Sequence, residues 1–180
     1  MKSATLFDIA GSSHENDEWY TPSWMFRAIA VEFDLDPCSP GVPPSSVPAK
    51  RHLTKADNGL TADWSGSVWL NPPFSSKRAW YERMVTHGTG IALMPARTET
   101  LDLQTYMSAA DGLLFLRGRI YFERGSRPGG NGTGGVITTP PFGIVLCAYG
   151  EPMAQALFNS KLLGMRSRVC RAGNTSGGSR

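Results

Sequence analysis

The stretch Ser67-Val68-Trp69-Leu70-Asn71-Pro72-Pro73-Phe74 decides the fold of this chain. Its first four residues form a brief apolar run, which predicts a buried strand. Two consecutive prolines cannot continue a central strand or lie inside a helix, so the chain must leave the sheet directly after Asn71. Ser75 or Ser76 can then cap a helix that Gly88 ends. The stretch therefore predicts a strand, a rigid turn and a helix in direct succession.

Helices and strands alternate on both sides of this stretch. Thr21-Pro22 predicts a helix start, because threonine caps helices and proline suits the first helical position. The apolar patterns predict strands at residues 33–36, 50–54, 67–70, 91–94, 113–122 and 142–149, and further helices capped by Ser75 or Ser76, capped by Thr98, and from about Pro152 to Leu163. The last two strands would form a hairpin with a long connection. This order predicts an α/β fold with an open sheet, mostly parallel, that gains one antiparallel strand late.

The 180 residues fit one domain of ordinary size. We expect a flexible leader at residues 1–16, a single domain at 17–164 and a basic disordered tail at 165–180. The beginning of the chain lacks the apolar core of a secretory signal, and no apolar run approaches the length of a membrane span. These features predict a cytoplasmic protein.

The titratable residues argue against a metal or disulfide framework. The three cysteines and three histidines are dispersed along the chain rather than paired at ligand spacing. The pattern His-x-Glu with Pro-Cys-x-x-Cys, which zinc deaminases require, does not occur. A net charge of +3 is compatible with nucleic-acid binding without requiring it.

Residues Asn71, Pro72, Pro73 and Phe74 suit the methylation of an aromatic amine. Such a nitrogen shares its lone pair with the ring and is a poor nucleophile, so two acceptors on its hydrogens would draw the lone pair back. The Asn71 side-chain oxygen and the Pro72 carbonyl can supply these acceptors, and consecutive prolines hold the backbone in place. Phe74 offers a flat surface for a base taken out of the duplex. A Pro-Pro turn with an incidental asparagine is the structural alternative.

An ordered series of motifs surrounds this signature. They are Asp17-Glu18-Trp19-Tyr20-Thr21-Pro22, Leu35-Asp36-Pro37-Cys38, Asp57-Asn58-Gly59-Leu60, Asp63-Trp64, Met94-Pro95-Ala96-Arg97-Thr98 and Leu116-Arg117-Gly118-Arg119. With them, the chain resembles the phage-type DNA N-6-adenine methyltransferases over about residues 17–149. The family belongs to the amino-methyltransferases that share the signature Asp/Asn-Pro-Pro-Tyr/Phe.

The resemblance implies a fold and an activity. The sheet would be the Rossmann-like class I methyltransferase sheet, and the cofactor S-adenosyl-L-methionine. The substrate would be double-stranded DNA, methylated at the N6 amine of a flipped adenine by direct transfer, without a metal. It also implies a phage enzyme, here expected to be a monomer, that works in the host cytoplasm and protects DNA from restriction.

The resemblance also implies cofactor-binding residues. Trp19, Tyr20 and Thr21 resemble the stretch that closes over the methionine end of the cofactor, and an aromatic ring there can face the sulfonium charge. A hydrophobic staple at the helix start is the alternative. Asp36 and Pro37 follow the first strand like the first cofactor motif, where the carboxylate would hold the methionine ammonium. An ordinary turn at the strand end is the alternative.

Two further acids resemble cofactor contacts. Asp63 is similar to the residue that meets the cofactor's adenine amine, and Asp57 would face the ribose hydroxyls. Either could instead be an acid of a loop or turn. The family of folds usually has a glycine-rich turn after the first strand, whereas this chain has Cys38-Ser39-Pro40-Gly41.

Arginines cluster in the second half of the chain. Between residues 117 and 127 four arginines stand against one acid. We expect Arg97, Arg117, Arg119, Arg124 and Arg127 to contact DNA phosphates, because guanidinium groups match phosphate oxygens. Residues 117 and 119 of the predicted strand would point to the same face. A plain solvated face is the alternative.

Two other functions stay open at this point. The same signature serves enzymes that methylate glutamine amides in proteins, and RNA is a further substrate class. The incomplete glycine turn would also suit a non-catalytic DNA-binding module on a methyltransferase scaffold. The chain has no obvious separate target-recognition domain, so specificity would come from loops such as 38–49 and 124–140.

Overall fold

The computed structural model describes residues 19–41, 45–124 and 137–169. Its strands are β1 Trp19–Tyr20, β2 Phe33–Asp36, β3 Ala49–His52, β4 Val68–Leu70, β5 Gly90–Pro95, β6 Gly112–Leu116, β7 Phe122–Arg124, β8 Ile137–Thr138, β9 Ile144–Tyr149 and β10 Gly164–Arg168. Its helices are α1 Ser23–Ile29, α2 Lys77–His87, α3 Leu101–Ser108 and α4 Glu151–Asn159, with a 3₁₀ turn at Lys55–Asp57. No helix in these ranges is both long and apolar enough to cross a bilayer.

Seven strands form the main sheet, in the order β10-β6-β9-β5-β4-β2-β3. The pairs β2/β3, β2/β4 and β4/β5 are parallel, as the sequence predicts. β9 lies between β5 and β6 and is antiparallel to both, and β10 is antiparallel to β6. The prediction of one late antiparallel strand is therefore wrong by one strand, since both β9 and β10 run against the others.

The sheet is the middle of three layers, because its central strands bury side chains on both faces. Every residue of β4, β5 and β9 is buried. One face packs Trp69, Ile91 and Leu93 against α1 and α4. The other packs Val68 and Leu70, with neighbouring strand residues, against α2 and α3. This alternation fixes which strand residues face each pair of helices.

A second, small sheet has the order β1-β7-β8. The predicted strand 113–122 is therefore wrong as a single strand: β6 ends at Leu116, and the chain enters the small sheet at Phe122. Gly118, with φ of +78°, turns the chain between them. A conformation of this kind costs glycine little, because glycine has no Cβ.

The end of the domain also differs from the prediction. α4 ends at Asn159 rather than near residue 163, and residues 164–168 form β10 instead of belonging to a disordered tail. Gly164 permits this pairing, because a Cβ there would lie 2.1 Å from the Phe115 carbonyl oxygen. The Arg166 guanidinium donates hydrogen bonds to the Ser160 and Leu162 carbonyls, in the segment that follows α4. The rest of the predicted tail, from residue 170, and the leader 1–16 lie outside the described residues.

Two predicted helix caps are wrong. The N-cap of α1 is Pro22 rather than Thr21, and that of α3 is Thr100 rather than Thr98. Thr100 accepts a hydrogen bond from the Leu103 amide. α2 begins after Ser76 and ends at His87, directly before the predicted stop at Gly88, although Ser76 makes no side-chain cap.

Asp34 ties β2 to its two neighbours. Its carboxylate accepts hydrogen bonds from Lys50 Nζ at 2.8 Å and from the Ser67 amide and hydroxyl at 2.8 and 3.0 Å. These bonds, first among them that of Lys50, lower the pKa of Asp34 to about 2.

We predict that this contribution to stability disappears in acid. The folded pKa lies below the unfolded value, so the contribution is present above about pH 4 and is lost as the pH falls toward 2. Asp34→Asn should flatten the dependence of the melting temperature on pH in that window. Equal slopes for the two proteins between pH 2 and 5 would contradict this assignment.

Candidate functional site

Several predicted site residues meet at one edge of the main sheet. β2, β4 and β5 are parallel, and β6 shares their direction because β5 and β6 are both antiparallel to β9. Asp36 ends β2, Asn71 follows β4, Arg97 follows β5 and Arg117 follows β6. Ligands of open α/β sheets bind beyond these carboxyl ends.

Asn71 is held by residues from the beginning of the described chain. Its Nδ2 donates hydrogen bonds to the Trp19 carbonyl at 2.6 Å and to Thr21 Oγ1 at 3.1 Å. The Trp19 carbonyl can only accept, so it fixes which end of the amide is the nitrogen. The Asn71 Oδ1 atom is buried and has no hydrogen-bond partner among the described residues. A buried acceptor of this kind costs free energy unless a ligand supplies a donor.

The next three residues carry the chain from β4 to α2. Pro72 is buried, Pro73 is exposed, and Phe74 is half-buried. The Pro73 carbonyl accepts a hydrogen bond from the Ser76 amide at 3.2 Å, which closes the turn before α2. The predicted strand, rigid turn and helix are therefore confirmed.

Phe74 belongs to an aromatic cluster. Its ring stacks on Trp19 with a centroid distance of 6.4 Å and meets the edge of Phe142 at 5.6 Å. Trp19 also packs edge-on against Phe122 of β7 at 5.6 Å. The half-buried Tyr20 pairs with β7 beside it. The small sheet thus places an aromatic surface next to Asn71.

Arg97 lies at the border of this cluster. Its guanidinium carbon is 5.3 Å from the centre of the Phe142 ring, and the side chain is exposed. The Ala96 amide bonds the Gly143 carbonyl at 2.8 Å, so the end of β5 and the segment around Phe142 are joined. Arg97 is therefore a predicted DNA-contacting arginine that a ring contact connects to the aromatic cluster.

Asp36 is almost completely buried, at 3% exposure. Its carboxylate accepts hydrogen bonds from the Cys38 amide and the Ser45 hydroxyl, both at 3.2 Å, and lies 3.3 Å from His52 Nδ1. Burial raises the pKa of Asp36, and the bonds from Cys38 and His52 oppose the shift. The buried Pro37 follows directly. The carboxylate is therefore already engaged by protein groups.

Ser45 and Ser46 connect the surroundings of Asp36 to those of Asn71. Ser45 donates to the Asp36 carboxylate, while the Ser46 hydroxyl donates to the Thr21 carbonyl. Both serines lie in the loop 38–49, which the sequence predicts to contribute to target specificity. Small hydroxyl residues in a proline-rich loop carry no signal for a particular partner, so only the tertiary contact reveals them.

Asp57 stabilises the 3₁₀ turn after β3. Its Oδ2 accepts hydrogen bonds from the Thr54 amide at 2.8 Å and hydroxyl at 2.7 Å, which lower the pKa of Asp57. The neighbouring Gly59 lies against the turn after β2, because a Cβ there would be 2.1 Å from the Pro37 carbonyl oxygen. The structure therefore brings two of the predicted cofactor segments into contact.

Asp63 belongs to a different region. Its side chain is exposed, and its carbonyl accepts a hydrogen bond from Arg51. The adjacent Trp64 packs edge-on against His87, the last residue of α2, at 5.6 Å. Asn71 precedes the other end of this helix, which is about 16 Å long at 1.5 Å per residue.

The remaining arginines are not brought together as predicted. Arg117 and Arg119 are exposed and follow β6 instead of sharing a strand face, so that part of the prediction is wrong. Arg119 Nη1 donates to the Pro140 carbonyl at 2.7 Å and so supports the segment that leads to Phe142. Arg124 ends β7, and Arg127 lies outside the described residues.

Phe142 is the aromatic residue that the sequence analysis missed. It ends a second Pro-Pro-Phe sequence, Pro140-Pro141-Phe142, which repeats the last three residues of the signature at 71–74. The repetition is a sequence signal for a second rigid turn that ends in an aromatic residue. The described residues contain no group of three His, Cys, Asp or Glu side chains that could hold a metal ion.

Comparisons with known proteins identify the family of the chain. A family model described as DNA N-6-adenine-methyltransferase (Dam) matches residues 10–138. A curated relative named DNA N-6-adenine-methyltransferase, from Haemophilus phage HP1 (strain HP1c1), is 34% identical over 77 residues. The match covers 40% of this chain and 43% of the relative, so it spans less than half of either protein. No solved structure matches the chain.

Proposed function

Because the chain belongs to the DNA N-6-adenine-methyltransferase (Dam) family, we propose that it transfers a methyl group from S-adenosyl-L-methionine to the N6 amine of adenine in DNA. A Rossmann-like class I methyltransferase sheet is part of the proposal, and the parallel order β3-β2-β4-β5 with the inserted antiparallel β9 supports it. The proposal includes a role for the enzyme in the host cytoplasm, where it would protect phage DNA from restriction; the phage origin of the relative supports a phage enzyme.

The buried Asn71 Oδ1 carries the proposal. It is an acceptor without a partner among the described residues, at the carboxyl end of a central strand. Adenine N6 carries two hydrogens, and an oxygen bound to one of them draws the nitrogen lone pair out of the ring. The Pro72 carbonyl follows directly and would accept the second hydrogen. Both acceptors are preorganised, since Trp19 holds the amide and the prolines restrict the backbone.

The aromatic cluster fits a flipped base. An adenine outside the duplex has lost its stacking partners, and an aromatic side chain replaces them. Phe74 is half-buried, with Trp19 and Phe142 on its borders, so it combines a fixed ring orientation with access from solvent. Adenine would stack on this ring with its amine directed at Asn71.

The residues around Asp36 fit the cofactor. S-adenosyl-L-methionine, when bound, supplies a methyl group activated by a sulfonium charge. Asp36 would hold the methionine ammonium directly or through water, while Ser45 and His52 lie against its carboxylate. The Trp19 ring would face the positive charge. Asp57 and Asp63 remain candidates for the ribose and the adenine amine of the cofactor.

Proton transfer needs no strong protein base. The attacking amine becomes acidic once the methyl group is attached, and its proton passes to solvent. The protein contributes position and electrostatics, as in other reactions that depend on preorganised dipoles. Arg97, exposed beside Phe142, would bind a phosphate near the flipped nucleotide and orient the strand.

We predict that the purified protein labels adenine N6 in unmethylated duplex DNA. The protein is incubated with cofactor that carries a labelled methyl group, and the DNA is then digested to nucleosides. RNA and total protein serve as parallel substrates. Label in N6-methyladenine alone is the expected result. Label confined to RNA or to glutamine would identify the alternative substrates, and a folded protein that binds DNA but shows no cofactor heat in calorimetry would be a non-catalytic binding module.

A further inference from the structure

The side chain of Asn71 is recognised by two hydrogen-bond acceptors. The Trp19 carbonyl has no hydrogen to donate, and it lies 2.6 Å from Asn71 Nδ2. Thr21 Oγ1 lies 3.1 Å from the same nitrogen. An amide satisfies this arrangement with its two N–H groups and leaves its oxygen for another donor. The contact with the Trp19 carbonyl therefore fixes the identity of both ends of the side chain.

We propose that the Trp19 carbonyl selects asparagine over aspartate at position 71, and that the Thr21 hydroxyl is a positioning residue for methyl transfer. This inference rests on the proposed function. The signature of the family accepts either residue at this position, whereas here the surroundings accept only the amide. The Thr21 hydroxyl acts through Asn71 and need not touch the reacting atoms.

An aspartate at position 71 would place a carboxylate oxygen against the Trp19 carbonyl. Two oxygens at 2.6 Å repel each other unless a hydrogen lies between them, and an ionised carboxylate has none. The position that the Asn71 oxygen occupies is buried, so water cannot solvate the negative charge of a carboxylate there. The variant would function only when its carboxyl group is protonated and can donate to Trp19.

The two residues that hold the Asn71 amide, Trp19 and Thr21, are themselves fixed by their neighbours. Thr21 is 4% exposed, and its carbonyl accepts a hydrogen bond from Ser46. Trp19 belongs to β1, which pairs antiparallel with β7. Because little solvent reaches Thr21, water cannot replace its hydroxyl in the contact with Asn71. Loss of the hydroxyl should let the amide rotate and should lower turnover rather than substrate binding.

The first test removes the hydroxyl without changing the shape of the side chain. Thr21→Val should lower kcat about tenfold, the effect expected for one hydrogen bond, with unchanged KM for DNA. Thr21→Ser restores the hydroxyl and should recover most of the rate. Thr86→Val, which removes an exposed hydroxyl from α2, is the matched control and should behave like the unaltered protein.

The second test uses Asn71→Asp and a pH profile. The charged side chains that follow the neighbouring strands are Asp36, at the end of β2, and Arg97, after β5. At pH 7.5 the variant should lose at least 100-fold in kcat, and its activity relative to the unaltered protein should rise as the pH falls toward 5. This rise is a response that mere loss of folding would not produce.

The outcomes separate this inference from the proposed function. If the unaltered protein methylates no substrate, the proposed function fails. If it methylates DNA and Thr21→Val retains full kcat, or Asn71→Asp is equally active at pH 7.5, only the inference about positioning fails. A Thr21→Ser protein as slow as Thr21→Val would also overturn it, because the hydroxyl would then not be the group that matters.

Discussion

Asn71→Ala is expected to lower kcat for DNA methylation by about 10²–10³-fold, the effect of removing one preorganised polar group from a transition state. The substitution deletes Oδ1, the acceptor that has no partner among the described residues. The Pro72 carbonyl alone would then have to draw the lone pair onto the nitrogen. Cofactor affinity should stay the same, because Asn71 is assigned to the amine and not to the methyl donor.

Folding should survive this change. Asn71 is half-buried, and the substitution costs the Trp19 carbonyl and Thr21 Oγ1 a donor. We expect a loss of about 1–3 kcal/mol in the free energy of unfolding, which a domain of this size tolerates. Circular dichroism and cofactor calorimetry test this directly. Asn159→Ala, on the exposed face of α4, is the control with the same chemical change and should retain full activity.

Retained activity in folded Asn71→Ala would remove the central argument of the proposed mechanism. Loss of both activity and cofactor binding would instead place Asn71 in the cofactor site. The informative result is therefore the combination of measurements: intact folding, intact cofactor affinity and a reduced rate.

Gly90→Ala is expected to destabilise the domain by about 3–5 kcal/mol, combining backbone strain with overpacking. Gly90 has φ of +149°, and a Cβ there would lie 2.2 Å from the Val68 carbonyl oxygen and 2.6 Å from the Met84 methyl carbon. The residue starts β5 and pairs with Val68 on β4 and with Tyr149 on β9. A methyl group would therefore push apart the central strands that lead to Asn71.

Gly88→Ala is the matched control for this prediction. Gly88 also has a positive φ, of +76°, but nothing lies within 4 Å of its Cβ position. Its substitution should cost only about 1–2 kcal/mol, the strain of the left-handed conformation. Urea unfolding of both variants measures the difference. Equal destabilisation would show that backbone strain, and not the contact with Val68, sets the cost at Gly90.

Local sequence was sufficient for the strand, turn and helix around the signature. Val68, Trp69 and Leu70 form an uninterrupted apolar run, and the two prolines after Asn71 end the strand. Gly88 ends the helix because it adopts a left-handed conformation. These effects act over a few residues and need no distant partner. The same holds for β5 and β9, whose apolar runs mark them as buried strands.

Strand pairing and helix ends were harder to predict from the sequence. The hairpin between residues 113–122 and 142–149 was expected, and β6 does pair with β9. The insertion of β9 next to β5 and the addition of β10 depend on which edges remain to be covered once the sheet assembles. The exposed pattern of β10 carries no apolar alternation, so no local signal identified it as a strand.

By itself, the sequence predicted Asn71 as the acceptor for the amine, and it determined the position of this residue after a buried strand and the rigid backbone that presents it. Only the tertiary structure decided how that group is oriented. The Trp19 carbonyl and the Thr21 hydroxyl reach Asn71 from 52 and 50 residues away. Hydrogen bonds over such separations depend on the folded arrangement of β1, β4 and the Ser45-Ser46 loop. Residue order encodes local conformation directly, whereas the partner of a buried amide is fixed only when the layers of the fold have packed.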